Sequence, residues 1–233
     1  MPNACDSSSL LYAQCMSKNI RQAASIREKA YLYPRENVLI DSTMQGKFLN
    51  GQELTAEIGV SRTPVREALL LLVSDGLVEL IPQRGAYIPV VTGREISELM
   101  ELRGVLESHA ARLAIGSGNV PAEAMAQTLK QQADLPAAHE AESAREFIRL
   151  DAPFHQQLID AAGNELISRT YGKLHVRQVM VGIDALFRTS GRREHVCREH
   201  QDLLDALVQG DGQKAQAAIG HHLNVTRDIL LRS

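Results

Sequence analysis

Residues 59–69 read Gly59-Val-Ser-Arg-Thr-Pro-Val-Arg-Glu-Ala-Leu69, and Asp75-Gly-Leu-Val78 follows six residues later. This stretch decides the first half of the molecule. Gly59 ends a short helix over Glu53–Ile58, because glycine accepts the left-handed conformation that follows a helix. Thr63 caps a new helix with Pro64 at its first position. That helix carries Val65, Ala68, Leu69, Leu72 and Val73 on one side, and Asp75-Gly76 stops it. Two strands follow, Leu77–Ile81 and Ala86–Val90, with Pro82-Gln-Arg-Gly85 turning between them. Helix, tight turn, helix and hairpin make a winged helix-turn-helix.

Arg62 and Arg66 lie at the start of the second helix, where cations oppose the macrodipole, so a purely structural role is disfavoured. Projected outward with Thr63, they suit guanine edges in a major groove or nearby phosphates. Gln83, Arg84 and Gly85 at the hairpin tip form a wing able to approach a DNA backbone or the minor groove. The plainer alternative is a solvated helix and an ordinary surface turn.

Upstream the reading is weaker. Residues 1–16 are Ser-rich without periodicity and read as a loose tail. A helix is expected over 17–32, interrupted by Pro34, with a second over 35–42. The expected DNA-binding domain is 17–92. From residue 93 to 233 the pattern is helical only, with helices expected over 94–116, 121–133, 138–162, 164–188, 191–209 and 212–231. The expected fold is mainly α: a winged head with a small β-hairpin, then an all-α antiparallel bundle.

Composition agrees with a globular chain. Of 233 residues, 44% are hydrophobic and 23% charged, which excludes a mostly disordered protein. The longest apolar run, Ala68–Val73, is too short to span a bilayer. The first residues lack a basic stretch followed by an apolar core, so no signal peptide is expected. Cys5, Cys15 and Cys197 are scattered and suggest neither a disulfide framework nor a cysteine zinc site. A reducing cytoplasm is the expected compartment. The net charge is −3, and residues 1–92 hold nine basic and nine acidic side chains, so the acidity lies in the second part. A neutral head can still bind DNA if its cations cluster on one face.

The helical part carries its own signal. Ile148, Asp151, His155, Leu158 and Ala162 share one face at helical spacing. Val196, His200, Leu203 and Leu207 repeat the pattern, as do Ile219, His222, Val225 and Ile229. Each stripe is apolar except for one or two metal-ligand types. A buried imidazole needs a partner, and three such helices converging would offer one carboxylate and three imidazoles. That set suits zinc foremost, and also nickel, manganese or iron. The alternative is a set of hydrogen-bonded core histidines. His109, His139, His175, His195 and His221 show no such pattern. Arg103 lies on a stripe with Leu99, Leu106, Ala110 and Leu113. It is either an i,i+4 partner of Glu107 or a clamp for a ligand carboxylate. Asn164 is expected to cap a helix and could border the same pocket.

Two resemblances follow from these residues. Gly59–Leu69 and Gly76–Tyr87 resemble the winged helix-turn-helix of GntR-superfamily transcription regulators. The stretch Gln45-Gly-Lys-Phe-Leu49 departs from the family's usual Pro-Gly, and Gln52 stands where a basic residue is common. Residues 95–230 resemble the FCD ligand-binding domain of the FadR subfamily, through Leu102-Arg103 with Leu106-Glu107, Asp151-x-x-Phe-His155, Ala161-Ala-Gly-Asn164, Arg198-Glu-His200 and His222. The resemblance implies a divalent metal on Asp151, His155, His200 and His222, and a small organic acid beside it against Arg103. Pro153 is a departure that should kink the ligand-bearing helix. The expected function is a homodimeric repressor that binds a short pseudo-palindromic operator and answers to that acid. A metal sensor and a metal-dependent helical hydrolase are the other readings.

Overall fold

The computed structural model describes residues 25–136 and 141–232. The expected tail, residues 17–24 and His139 lie outside the described residues. The chain divides between Val90 and Val91 into two compact units.

The first unit begins with helix α1 (25–33), which widens into one π turn at Pro34–Val38 rather than stopping at Pro34. Pro34 has no N–H to bond back one turn, and regular α geometry gives way there to the π turn, closed by Leu39 N–H donating to Pro34 O at 2.8 Å. Helix α2 spans Gly51–Ile58, two residues longer at its start than the sequence suggests. Asn50 is the reason: its side chain accepts from the backbone of Gln52 and Glu53. Gly59 closes α2 at φ 71°, the left-handed conformation expected of it. Helix α3 spans Arg62–Ser74. Its N-cap position is Ser61 and not Thr63, so Pro64 falls third in the helix, still inside the first turn where a proline costs no hydrogen bond.

Strands β2 (Glu79–Ile81) and β3 (Gly85–Tyr87) form the hairpin. A third strand that the sequence does not announce, β1 (Phe48–Leu49), pairs antiparallel with β3 through Phe48–Tyr87 and Leu49–Ala86. The sheet order is β1-β3-β2. Leu54, Ile58, Val65, Ala68, Leu72, Val78, Ala86 and Ile88 are buried and form the core of this unit.

The second unit is all helix among the described residues. It contains α4 (Gly93–Ser117), α5 (Ala122–Ala133), α6 (Ala141–Ala161), α7 (Glu165–Gly172), α8 (His175–Arg188), α9 (Arg192–Val208) and α10 (Gly212–Leu231). Helix α4 opens with a reciprocal capping box between Thr92 and Glu95. The single helix expected over 164–188 is two, separated at Lys173 and Leu174. Helix α6 runs through Pro153 without interruption.

Helix α4 packs on α10 and α6, α9 on α10 and α5, and α8 on α6. Gly182 on α8 permits one of these approaches: a Cβ there would lie 3.0 Å from Ile148 of α6. Met100, Ala110, Phe154, Leu158, Leu203, Ile219 and Leu223 are among the buried residues of one continuous core. The ligand-type side chains of α6, α9 and α10 emerge inside it.

Candidate functional site

Asp151, His155, His200 and His222 converge. Each offers one ligand atom, and these atoms lie within 4.8 Å of one another. The three imidazoles are buried, and Asp151 is partly exposed. Ring centroids of the histidine pairs are 4.9, 5.1 and 4.9 Å apart. Phe154 stacks on His200 at 4.2 Å and fixes that ring's plane. Asp151 stays in the cluster despite Pro153: its carboxylate lies 3.4 Å from His200 Nε2 and 3.8 Å from His155 Nε2.

The outer nitrogens define the inner ones. His222 Nδ1 donates to Glu199 Oε2 at 2.7 Å, and His200 Nδ1 to Gln132 Oε1 at 3.1 Å. His155 Nδ1 lies 3.0 Å from Glu107 Oε2, at ion-pair distance but off the line of a good hydrogen bond. Each outer nitrogen faces an acceptor, so it carries the proton and Nε2 presents a lone pair inward. The Nε2 atoms of His155 and His200 are buried with no hydrogen-bond partner. An unpaired buried acceptor is costly unless something else fills its lone pair. Three inward imidazole nitrogens and a carboxylate fit a divalent ion with nitrogen and oxygen preference.

Protonation favours ligation. Burial, reinforced by the neighbouring histidines, holds His200 well below the usual histidine range. Burial also lowers His222, although the hydrogen bond to Glu199 pulls the other way. Both rings are therefore neutral at pH 7, as metal binding requires.

Two buried arginines stand beside the cluster. Arg103 Nε donates to Glu107 Oε1 at 2.8 Å, and Tyr171 OH donates to the same oxygen at 2.6 Å. Burial alone would raise Glu107, but the charges of Arg103 and His155 outweigh it and hold the carboxyl far below its usual range. Tyr171 is raised, chiefly by burial. Arg192 grips Glu199 with both terminal nitrogens, at 2.5 and 2.9 Å, and donates to Thr226 at 2.8 Å. Glu199 is thereby held at about 2: burial opposes this, and hydrogen bonds from His222 and Arg192 prevail.

Arg103, Arg192, Gln178, Asp151 and His222 line one small, partly open pocket. Arg103 Nη2 is buried without a partner there. The sequence presented the Glu107 pair and a clamp for a ligand carboxylate as rivals; the pair is present, made through Nε. Asn164 is placed differently. Its oxygen accepts from Leu166 and Ile167 and caps α7, its side chain is exposed, and it does not line this pocket. Its acceptor is spent on the helix start.

Sequence reasoning missed Glu107 as a partner of His155, and missed Arg192, Glu199, Gln132, Tyr171 and Gln178. Arg192 had a signal: it lies four residues before Val196 on the stripe that carries His200. Of the histidines set aside, His221 is exposed while His222 is buried, as the stripe implies.

In the first unit, Arg62, Thr63 and Arg66 are exposed along the first turns of α3. Gln83, Arg84 and Gly85 are exposed at the wing tip. Arg84 packs its guanidinium 4.6 Å from the centre of the Phe48 ring, and Phe48 in turn touches Tyr87. The tip is a tight turn closed by Arg84 N–H donating to Ile81 O at 3.0 Å. Gln83 sits at φ 62° in its second central position, where glycine is usual.

A winged helix-turn-helix in the same chain as a helical domain with a pocket beside a buried histidine cluster points to a class: transcriptional regulators with separate DNA-binding and ligand-binding domains. Comparison with known proteins gives the family. The model of bacterial regulatory proteins of the gntR family matches residues 28–88, and the FCD domain matches 98–225. A Streptomyces ambofaciens protein described as an uncharacterized HTH-type transcriptional regulator in an unstable DNA locus is 30% identical over 218 residues, 88% of this chain and 85% of that one. The HTH-type transcriptional repressor RspR of Escherichia coli is 28% identical over 199 residues, 85% of this chain and 86% of that one. Among solved structures, a putative GntR regulator from Rhodococcus sp. RHA1 aligns with TM-score 0.68 at 24% identity, covering 93% and 99% of the two chains. The chain belongs to the GntR family and is a DNA-binding transcriptional regulator with an FCD ligand-binding domain. No helix among the described residues is long and apolar enough to cross a membrane.

Proposed function

We propose that this regulator is a repressor whose operator binding is controlled by a small organic acid at a metal centre. Asp151, His155, His200 and His222 hold one divalent ion, zinc foremost. The acid ligates that ion and pairs its carboxylate with Arg103. The observation that carries this reading is the unpartnered set of buried nitrogens: His155 Nε2 and His200 Nε2 in the cluster, and Arg103 Nη2 on the adjoining pocket.

On the DNA side, Arg62, Thr63 and Arg66 enter a major groove, and Gln83, Arg84 and Gly85 contact the flanking backbone. Two copies of the chain bind a short pseudo-palindrome, each head taking one half-site. The acid acts by preferring one arrangement of the dimer, because a ligand shifts an equilibrium only by its differential affinity.

Elemental analysis and operator titration test this together. Protein never exposed to chelator should carry about one divalent ion per chain, and His200→Ala or His222→Ala should lose most of it. Organic acids added at fixed metal should then change operator affinity. If metal alone changes it and no acid does, the ion is the effector. Protein free of metal with its histidines intact refutes the centre.

A further inference from the structure

The pocket beside the cluster offers more than the Arg103 contact. Two further nitrogens on residues lining it are buried without a hydrogen-bond partner: Gln178 Nε2 and Arg192 Nε. Gln178, on α8, is 8% exposed, and Arg192, on α9, is 2% exposed. Buried N–H groups are almost always paired. Two that are not, on two helices that line the same pocket, are donors a ligand there could satisfy.

Charge decides what kind of acceptor fits. Arg192 is already neutralised by both oxygens of Glu199. Gln178 has no charge. A carboxylate seated here would lie close to the Glu199 carboxylate with no uncompensated cation to face, and such burial is unfavourable. A carbonyl or hydroxyl oxygen would satisfy the same donors without that penalty. Ile148, Val181 and Ala185 supply apolar wall in the same pocket, suited to a short alkyl segment.

We propose that the effector is a small monoanionic acid bearing a second, uncharged oxygen acceptor, which receives Gln178 Nε2 and Arg192 Nε. Gln178 is then the residue that sets specificity between such an acid and a plain or doubly charged one. This rests on the reading above, in which the carboxylate itself sits at the metal and Arg103.

The test uses the full chain loaded with zinc, its metal content verified. Calorimetry compares three sets of probes of three to five carbons. They are the plain acids propionate, butyrate and valerate; the diacids malonate, succinate and glutarate; and the half-amides malonamate, succinamate and glutaramate. At one chain length the half-amide should bind at least about tenfold more tightly than both counterparts, the scale of one good hydrogen bond with a buried donor. Gln178→Met, which keeps the side chain's length, should erase most of that advantage over the plain acid. Arg103→Ala should weaken all three sets alike. A diacid binding tightest, a plain acid matching its half-amide at every length, or an advantage that survives Gln178→Met overturns the inference while leaving the proposed function standing. Failure of the verified zinc protein to bind any of the nine acids overturns both.

Discussion

Glu107→Leu removes the carboxylate on which three buried groups depend. Glu107 is fully buried, and Arg103 beside it is 4% exposed. Its oxygens take Arg103 Nε at 2.8 Å and Tyr171 OH at 2.6 Å, and lie 3.0 Å from His155 Nδ1. Leucine fills a similar volume, so the cavity term is small and the electrostatic loss dominates. Removing one partner of a buried ion pair costs roughly 3–5 kcal/mol, because the other charge stays inside without compensation. At about 2–4 °C per kcal/mol for a domain near this size, the second unit should melt roughly 6–20 °C lower. Urea unfolding followed by far-ultraviolet circular dichroism, with metal chelated, measures this directly. Arg103→Met combined with Glu107→Leu should recover much of the loss, since no unpaired charge remains. A cost below about 1 kcal/mol, or a double variant no better than the single one, would refute the buried-pair reasoning.

Arg66→Ala should weaken specific operator binding by about 1–3 kcal/mol and relax discrimination at one base pair, read by mobility shift against a panel of operators. Arg84→Ala should instead weaken binding evenly across sequences and flatten its salt dependence. Gln83→Gly should stabilise the first unit by about 1 kcal/mol by relieving the left-handed backbone, while lowering operator affinity through loss of the side chain. Glu199→Gln keeps an oxygen for His222 Nδ1 but strips Arg192 of its carboxylate, so zinc affinity measured by chelator competition should fall about 10–100-fold. His200 and His222 have folded values below the unfolded histidine value, so the unfolded chain takes up protons that the folded chain refuses. Chelated protein should therefore lose stability as pH falls below about 6.5, approaching roughly 2.7 kcal/mol per pH unit when both rings are charged only in the unfolded state. Glu107 and Glu199 are depressed instead, so their contribution begins to fade only below the ordinary carboxylate range, near pH 4.3.

The head was legible because its boundaries are set by residues with one conformational purpose. Gly59 can end α2 in the left-handed region, and Pro82 with Gly85 can turn a hairpin. Strand β1 was not legible, since two residues are too few to show alternation. The break between α7 and α8 was also missed, though Gly172 marks its edge. Asp151, His155, His200 and His222 stood out because each interrupts an apolar stripe on its own helix. Their partners did not. Glu107 meets His155 from α4, and Gln132 meets His200 from α5; spacing along one helix cannot encode a contact with another. Arg103 and Glu107 were visible as a pair only because they lie four residues apart on the same helix.

The partners that spacing hides share one design. Glu107 joins Arg103 of the pocket to His155 of the cluster. Glu199 joins Arg192 of the pocket to His222 of the cluster. In each, a carboxylate held ionised by its arginine faces Nδ1 of a histidine, Glu199 through a hydrogen bond and Glu107 at ion-pair distance. The first chain runs from α4 to α6, and the second from α9 to α10. Whatever moves either guanidinium therefore acts on a ligand-type imidazole through one intervening carboxylate, and the reverse holds as well. Linkage makes such coupling reciprocal in free energy. A pocket occupant that ordered Arg103 Nη2 or Arg192 Nε would tighten the imidazole cluster, and an ion in the cluster would in turn hold both arginines in place for that occupant. The two buried ion pairs are thus better understood as connectors than as sources of stability, for which buried charge is a poor choice.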